Sequence, residues 1–159
     1  MEVFVLFILI ASVYVLIKAK KREKERLRKL RSAAIAEVDN MSGIMFEEYL
    51  KALLKSRGYK VRMTLSSGDF GADLILDDNL NTIVVQSKRY AKKVGVGAVQ
   101  EVVSAKSYYQ ADECWVITNN YFTKPAQKLA KVNNATLVDR YQLIDWIHEE
   151  ENNTKKQLN

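Results

Sequence analysis

The sequence has one cysteine, one histidine and one proline in 159 residues. A lone Cys114 excludes a disulfide within the chain and reads as a small hydrophobe. His148 and Cys114 are too few for a zinc centre, which needs several nitrogen or sulfur ligands. No Ser–His–Asp set and no P-loop pattern is present, and nothing points to a small-molecule cofactor. Internal repeats and low-complexity tracts are absent too. The net charge of +6 suggests nucleic acid, but most of the chain lacks any charge excess. Residues 18–31 (KAKKREKERLRKLR) hold nine Lys or Arg against two Glu, and residues 32–159 balance to zero. The basicity therefore belongs to one segment and cannot be credited to the rest.

That segment follows fifteen uncharged residues, Val3 to Ile17. Crossing a bilayer usually takes about 20 residues, with a range of about 17–25. Lys18 and Lys20 can snorkel, and Ala19 extends the apolar stretch. The only charge ahead of the run is Glu2 and no A-x-A-like site follows, so the pattern is that of an uncleaved anchor rather than a cleaved signal peptide. Basic residues after the run keep that side cytoplasmic. The expectation is a single-pass membrane protein, N-terminus out, with its soluble domain in the cytoplasm. The basic segment either sets topology at anionic headgroups or forms a stalk that also touches DNA phosphates. Expected boundaries are anchor and basic helix 1–31, linker 32–40, soluble domain 41–148 and a polar, frayed tail 149–159.

The soluble domain is organised around residues 68–89, GDFGADLILDDNLNTIVVQSKR. It reads as two strands, 72–77 and 82–88, joined by Asp78, Asn79, Leu80 and Asn81, which supply turn chemistry. A hairpin symmetric about the Asn79–Leu80 bond sets Asp73 opposite Gln86. Opposed residues, and residues two apart on a strand, share a face. Asp73, Gln86 and Lys88 therefore project together, while Leu74, Leu76, Ile83 and Val85 form core on the other side. Such a polar set is costly unless something uses it. Mg²⁺ (or Mn²⁺) and a phosphodiester would: Asp73 offers a carboxylate oxygen, Gln86 an amide oxygen and Ser87 its backbone carbonyl. Lys88 could orient an attacking water and offset charge on the phosphate. The plain alternative is an ordinary hairpin with a solvated polar face.

These residues resemble the catalytic core of the Mrr-type restriction endonucleases, of the PD-(D/E)xK nuclease superfamily. The ordered elements are MSGIMFEEYL, GDFGAD, VVQSKR, VGVGAVQE, TNNYFTKPAQKLAK and ATLVDRYQLIDW, spanning roughly Met41 to Trp146. In that branch glutamine replaces the usual acid of the (D/E)xK element, as Gln86 does here. The resemblance implies a restriction-endonuclease-like α/β fold, a central mixed sheet flanked by helices. It also implies metal-dependent cleavage of DNA and a supporting acid on the first helix, matched by Glu47.

A helix from about Ser42 to Ser56 places Phe46, Tyr49, Leu50, Leu53 and Leu54 on one stripe, with Glu47 at its edge and Glu48 nearly opposite. Residues 59–65 alternate like a strand. Asp69 aims at metal or shapes the loop with Gly68 and Gly71; the loop role is the expectation. Arg89, Lys92 and Lys93 are candidates for DNA phosphate contacts, and Gln100 matches a glutamine of the resembling domains. A helix from about Ala98 to Tyr109, a buried strand Glu113 to Thr118, a helix capped by Thr123 with Pro125 in its first turn, a strand 135–138 and a helix opened by Asp139 complete the chain. Three functions fit: a membrane-tethered DNA endonuclease, a non-catalytic nucleic-acid-binding module of the same fold, and a membrane protein whose domain binds another protein. A homodimer suits the first, since cutting both strands commonly takes two sites.

Overall fold

A computed structural model describes residues 12–22, 25, 35–64 and 70–157. The chain divides into two units, Met1–Ala34 and Ile35–Asn159. In the first, residues 12–22 are helical, and Lys18 Nζ lies 5.8 Å from the centre of the Tyr14 ring. Eleven helical residues reach about 16 Å, roughly half of a ~30 Å hydrocarbon layer. Four of the last five are basic, Lys18, Lys20, Lys21 and Arg22. The expected spanning helix is not found: among the described residues no helix is long and apolar enough to cross a membrane. Residues 3–11 of the apolar run, most of the basic segment and Asp69 lie outside the described residues.

The second unit is a five-stranded mixed sheet between two helical layers, as expected. Its elements run α1 (Gly43–Ser56), β1 (Lys60–Met63), β2 (Leu74–Asp77), β3 (Thr82–Lys88), α2 (Val96–Tyr108), β4 (Glu113–Thr118), α3 (Lys124–Val132), β5 (Thr136–Val138) and α4 (Arg140–Gln157). The strands lie in sequence order. β1, β2 and β3 are antiparallel neighbours, and β3, β4 and β5 are parallel ones. The switch follows from the connections. A tight turn joins β2 to β3, whereas α2 and α3 carry the chain back between parallel strands. Leu74 pairs with Val85 and Asp77 with Thr82, the register the symmetric hairpin requires. The turn is built by carboxylates: Asp77 Oδ1 accepts from Asn79 N, and Asp78 Oδ1 from Leu80 N and Asn81 N. Asn79 takes φ 73° there, a conformation asparagine tolerates better than most residues.

Leu74, Leu76, Ile83 and Val85 are buried on one face, as expected, and α1 packs against β1 and β3. The opposite face is core as well. Ile75, Val84, Cys114 and Val116 pack with Val99, Val102 and Ala105 of α2 and Ala126 and Ala130 of α3. Asp73, Gln86 and Lys88 share the face of Ile75 and Val84, by the two-residue period of a strand. The polar set is thus aimed under α2 rather than into solvent.

Sequence-read boundaries hold within one or two residues at most ends. Ser42 Oγ caps α1 by accepting from Met45 N. Gly58 follows it at φ 95°, with Tyr59 N bonding Leu54 O, the left-handed stop that glycine favours. Thr123 caps α3 and Asp139 accepts from Tyr141 N and Gln142 N ahead of α4. Two expectations are corrected. The linker ends earlier than residue 40: residues 35–39 are helical, and Ile35 and Val38 are 3% and 1% exposed. Apolar residues three apart anchor that turn to the domain. The tail is not frayed from residue 149, since α4 continues to Gln157 and Glu149 is ion-paired with Arg57.

Candidate active site

Asp73 sits one residue ahead of β2, where its backbone N donates to Val85 O at 2.8 Å. Its Oδ2 accepts three hydrogen bonds, from Gln86 Nε2 at 2.7 Å, Ser87 N at 2.6 Å and Ser87 Oγ at 2.8 Å. The Gln86 amide nitrogen also reaches the Ser87 carbonyl at 3.4 Å. Gln86 is 4% exposed and Ser87 8%. The three residues expected to supply oxygens therefore meet, with Gln86 and Ser87 buried and Asp73 half-buried, so the polar face is not the solvated face of an ordinary hairpin. One detail differs from expectation. Gln86 turns its N–H to Asp73, because a neutral donor satisfies a carboxylate held in a nearly dry site. Rotating the amide by half a turn exchanges Nε2 for Oε1.

Carboxylate, amide and carbonyl oxygens form the hard donor set that Mg²⁺ or Mn²⁺ takes, with waters filling the remaining positions. No group of three His, Cys, Asp or Glu able to hold a metal ion occurs among the described residues. A cation here would lean on the amide and carbonyl oxygens as much as on charge.

Lys88 ends the same strand face, but its ammonium is taken by a residue the sequence did not single out. Glu101 Oε2 on α2 lies 2.7 Å from Lys88 Nζ, and the lysine side chain is 18% exposed. Burial pulls the Lys88 pKa down, but the hydrogen bond and charge of Glu101 outweigh it, helped by Tyr90 and Asp73, and hold it above the ordinary lysine value. The Glu101 contact thus favours the charged form of Lys88. Glu101 had a legible signal: it stands three residues after buried Ala98 and four before buried Ala105, on the rim of the helix face that meets the sheet. Gln100, one position round, is exposed.

The approach of α2 depends on Gly71. At φ 90° a side chain is strained, and a Cβ there would lie 2.7 Å from the Glu101 carbonyl oxygen. Glycine at this point lets the Asp73 loop lie directly on α2. Beside it Phe70, at φ 50°, stacks on Tyr108 with ring centres 3.8 Å apart.

The remaining expected residues are spread more widely. Glu47 is half-buried on α1, whereas Glu48 is exposed and paired with Lys51, the edge-versus-opposite difference that helix geometry gives. Lys92 and Lys93 are exposed. Arg89 is not: its Nη1 donates to Asp39 O at 3.1 Å. That contact belongs to a second polar cluster. Asp39 takes Arg140 on both oxygens at 2.8 Å, and Asn119 Nδ2 donates to Asp39 Oδ1 at 2.8 Å. The Arg140 hydrogen bond is the largest influence on Asp39 and, against burial, holds its carboxyl below the ordinary value. Sequence reading missed this cluster because its members are 80 and 101 residues apart.

A family model described as restriction endonuclease, of the Mrr catalytic type, matches residues 38–147. The chain belongs to that family. Mrr-type likeness extends to solved structures at the level of fold. The restriction endonuclease AspBHI, described as DNA modification-dependent, aligns with TM-score 0.59 at 17% identity over 75% of this chain and 35% of its own. MspJI, solved with a 27-mer oligonucleotide, gives 0.51 at 15% identity over 76% and 31%. AF1548, a protein of unknown function, gives 0.50 at 14% over 57% and 54%. This Mrr-type chain thus spans about a third of the two endonucleases and half of AF1548. No curated protein matches.

Proposed function

We propose that this chain is a Mg²⁺- or Mn²⁺-dependent DNA endonuclease that hydrolyses phosphodiester bonds, of restriction or DNA-processing type. The observation that carries the reading is the shielded cluster of Asp73, Gln86 and Ser87, inside a domain of the Mrr-type family. Asp73, the turned Gln86 amide and the Ser87 carbonyl would hold the ion. When bound, such an ion polarises the phosphate and makes water more acidic. Lys88 would exchange Glu101 for a phosphate oxygen and offset its charge. Glu47 would hold water at the outer edge of the site. Lys92 and Lys93, with Arg89 and Gln100 in support, would contact the DNA backbone. Two copies would act together for cleavage of both strands.

The apolar run 3–17 and the basic residues behind it support a further element of the proposal, a single-pass tether with the N-terminus outside and the nuclease domain in the cytoplasm. Alkaline extraction tests it: a tethered chain stays in the pellet, and release into the supernatant rejects the tether.

One observation favours a second reading, a DNA-binding module that does not cut. Gln86 donates to Asp73 and Lys88 is held by Glu101, so both must rearrange before catalysis. Nicking of supercoiled plasmid with Mg²⁺ or Mn²⁺ separates the two. Cleavage that Asp73→Ala and Lys88→Ala each abolish supports the nuclease. Bound but intact plasmid supports the module, and neither binding nor cutting rejects both.

A further inference from the structure

Phe70 and Tyr108 are not explained by the chemistry above. Their rings are stacked at an interplanar angle of 22°, yet the residues remain 53% and 57% exposed. Two apolar rings would ordinarily gain by entering the core. Instead Phe70 is held out on a left-handed backbone, next to Gly71, where a Cβ would run into the Glu101 backbone. Tyr109 meets Tyr108 edge-on at 5.0 Å and buttresses the pair. The loop that delivers Asp73 to the site therefore also fixes this plate.

We propose that the Phe70–Tyr108 stack is a platform for an unstacked DNA base lying within about three nucleotides of the cleaved phosphate. The proposal rests on the nuclease reading. Phe70 is three residues from Asp73, a reach of at most about 10 Å, and stacked bases follow each other at about 3.4 Å. The two rings are already stacked at a comparable separation, 22° from parallel, so a base can continue the stack without reordering them. Aromatic plates of this kind hold bases that have left the duplex, and do so with little regard for sequence. A base within a duplex covers its faces with its neighbours. The platform therefore selects DNA with a gap, a flap or a flipped base beside the cut. Continuity with the loop that carries Asp73 favours a base over a protein side chain as the occupant.

The test uses the full chain in EDTA, so that cleavage plays no part. Fluorescence anisotropy compares a blunt duplex with the same duplex carrying a four-nucleotide gap that contains 2-aminopurine. The expected result is tighter binding of the gapped DNA. Phe70→Leu and Tyr108→Leu should each weaken gapped binding by at least about fivefold, brighten the unstacked 2-aminopurine, and leave duplex binding and thermal unfolding unchanged. Equal binding of both DNAs by wild type and variants overturns the platform. So does an equal loss on both DNAs, or loss of self-association in place of DNA binding. A wild type that binds as expected but never cuts with Mg²⁺ sinks the nuclease reading alone; one that cuts while both variants bind normally sinks the platform alone.

Discussion

Asp39 and Asp73 are both half-buried carboxylates, and they are satisfied in opposite ways. Asp39 takes the Arg140 guanidinium on both oxygens, a geometry that neutralises charge and fixes orientation. The three donors gathered on Asp73 Oδ2 are all neutral, two of them from Ser87. The nearby ammonium of Lys88 is bonded to Glu101. An arginine pair closes a carboxylate and makes it part of the frame. Neutral dipoles orient a carboxylate oxygen without the two-pronged ionic lock of a guanidinium. On the proposed function Asp39 belongs to the frame and Asp73 to the chemistry, and mutation should separate the two.

The largest expected effect is on activity. Asp73→Asn should lower plasmid nicking at least about a hundredfold, on the scale seen when a metal site loses an oriented partner. Its unfolding midpoint in urea should stay near wild type, since asparagine can still accept at Oδ1. Next comes Gly71→Ala. Strain at φ 90° and a Cβ against the Glu101 backbone should cost about 1–3 kcal/mol of stability, read from the same denaturation curves. Asp39→Ala should cost about 1–2 kcal/mol, the low end for a lost charged partner because both side chains are partly exposed. In contrast to Asp73→Asn, it should change nicking little under conditions where the chain is folded.

The same comparison predicts a pH effect. The Asp39 carboxyl is lowered on folding, so its contribution is complete above its ordinary value of 3.8 and disappears as pH falls through the lower folded value. Urea midpoints measured at pH 5 and pH 3 should fall less in Asp39→Asn than in wild type. The smallest effect is expected from Gln86→Glu. It removes a donor to Asp73 and adds a like charge, so the metal-free chain should melt a few degrees lower. Added Mg²⁺ should raise its melting temperature more than that of wild type.

How much of this could be read from the sequence depends on how local each cause is. The hairpin register, the cap at Thr123 and the shared face of Asp73 and Gln86 follow from neighbours a few residues apart, and all stand as expected. The Glu101 pair required knowing how α2 crosses the sheet, although its spacing from Ala98 and Ala105 put it on the rim of the packed face. The clamp from Asp39 to Arg140 joins elements at opposite ends of the domain, and no local pattern predicts it. Residues 35–39 read as linker because five residues are too few to show helical period, yet Ile35 and Val38 anchor them. The spanning helix is a different case: residues 3–11 of the apolar run lie outside the described residues, and the described helix turns basic at Lys18.

Calorimetric titration of Mn²⁺ into three chains, wild type, Asp73→Asn and Asp39→Asn, puts the division between the two carboxylates to the most direct test. Binding should be present in wild type and Asp39→Asn and missing in Asp73→Asn. Equal binding by all three, or its loss in Asp39→Asn with retention in Asp73→Asn, would contradict the assignment of the cation site to Asp73, Gln86 and Ser87.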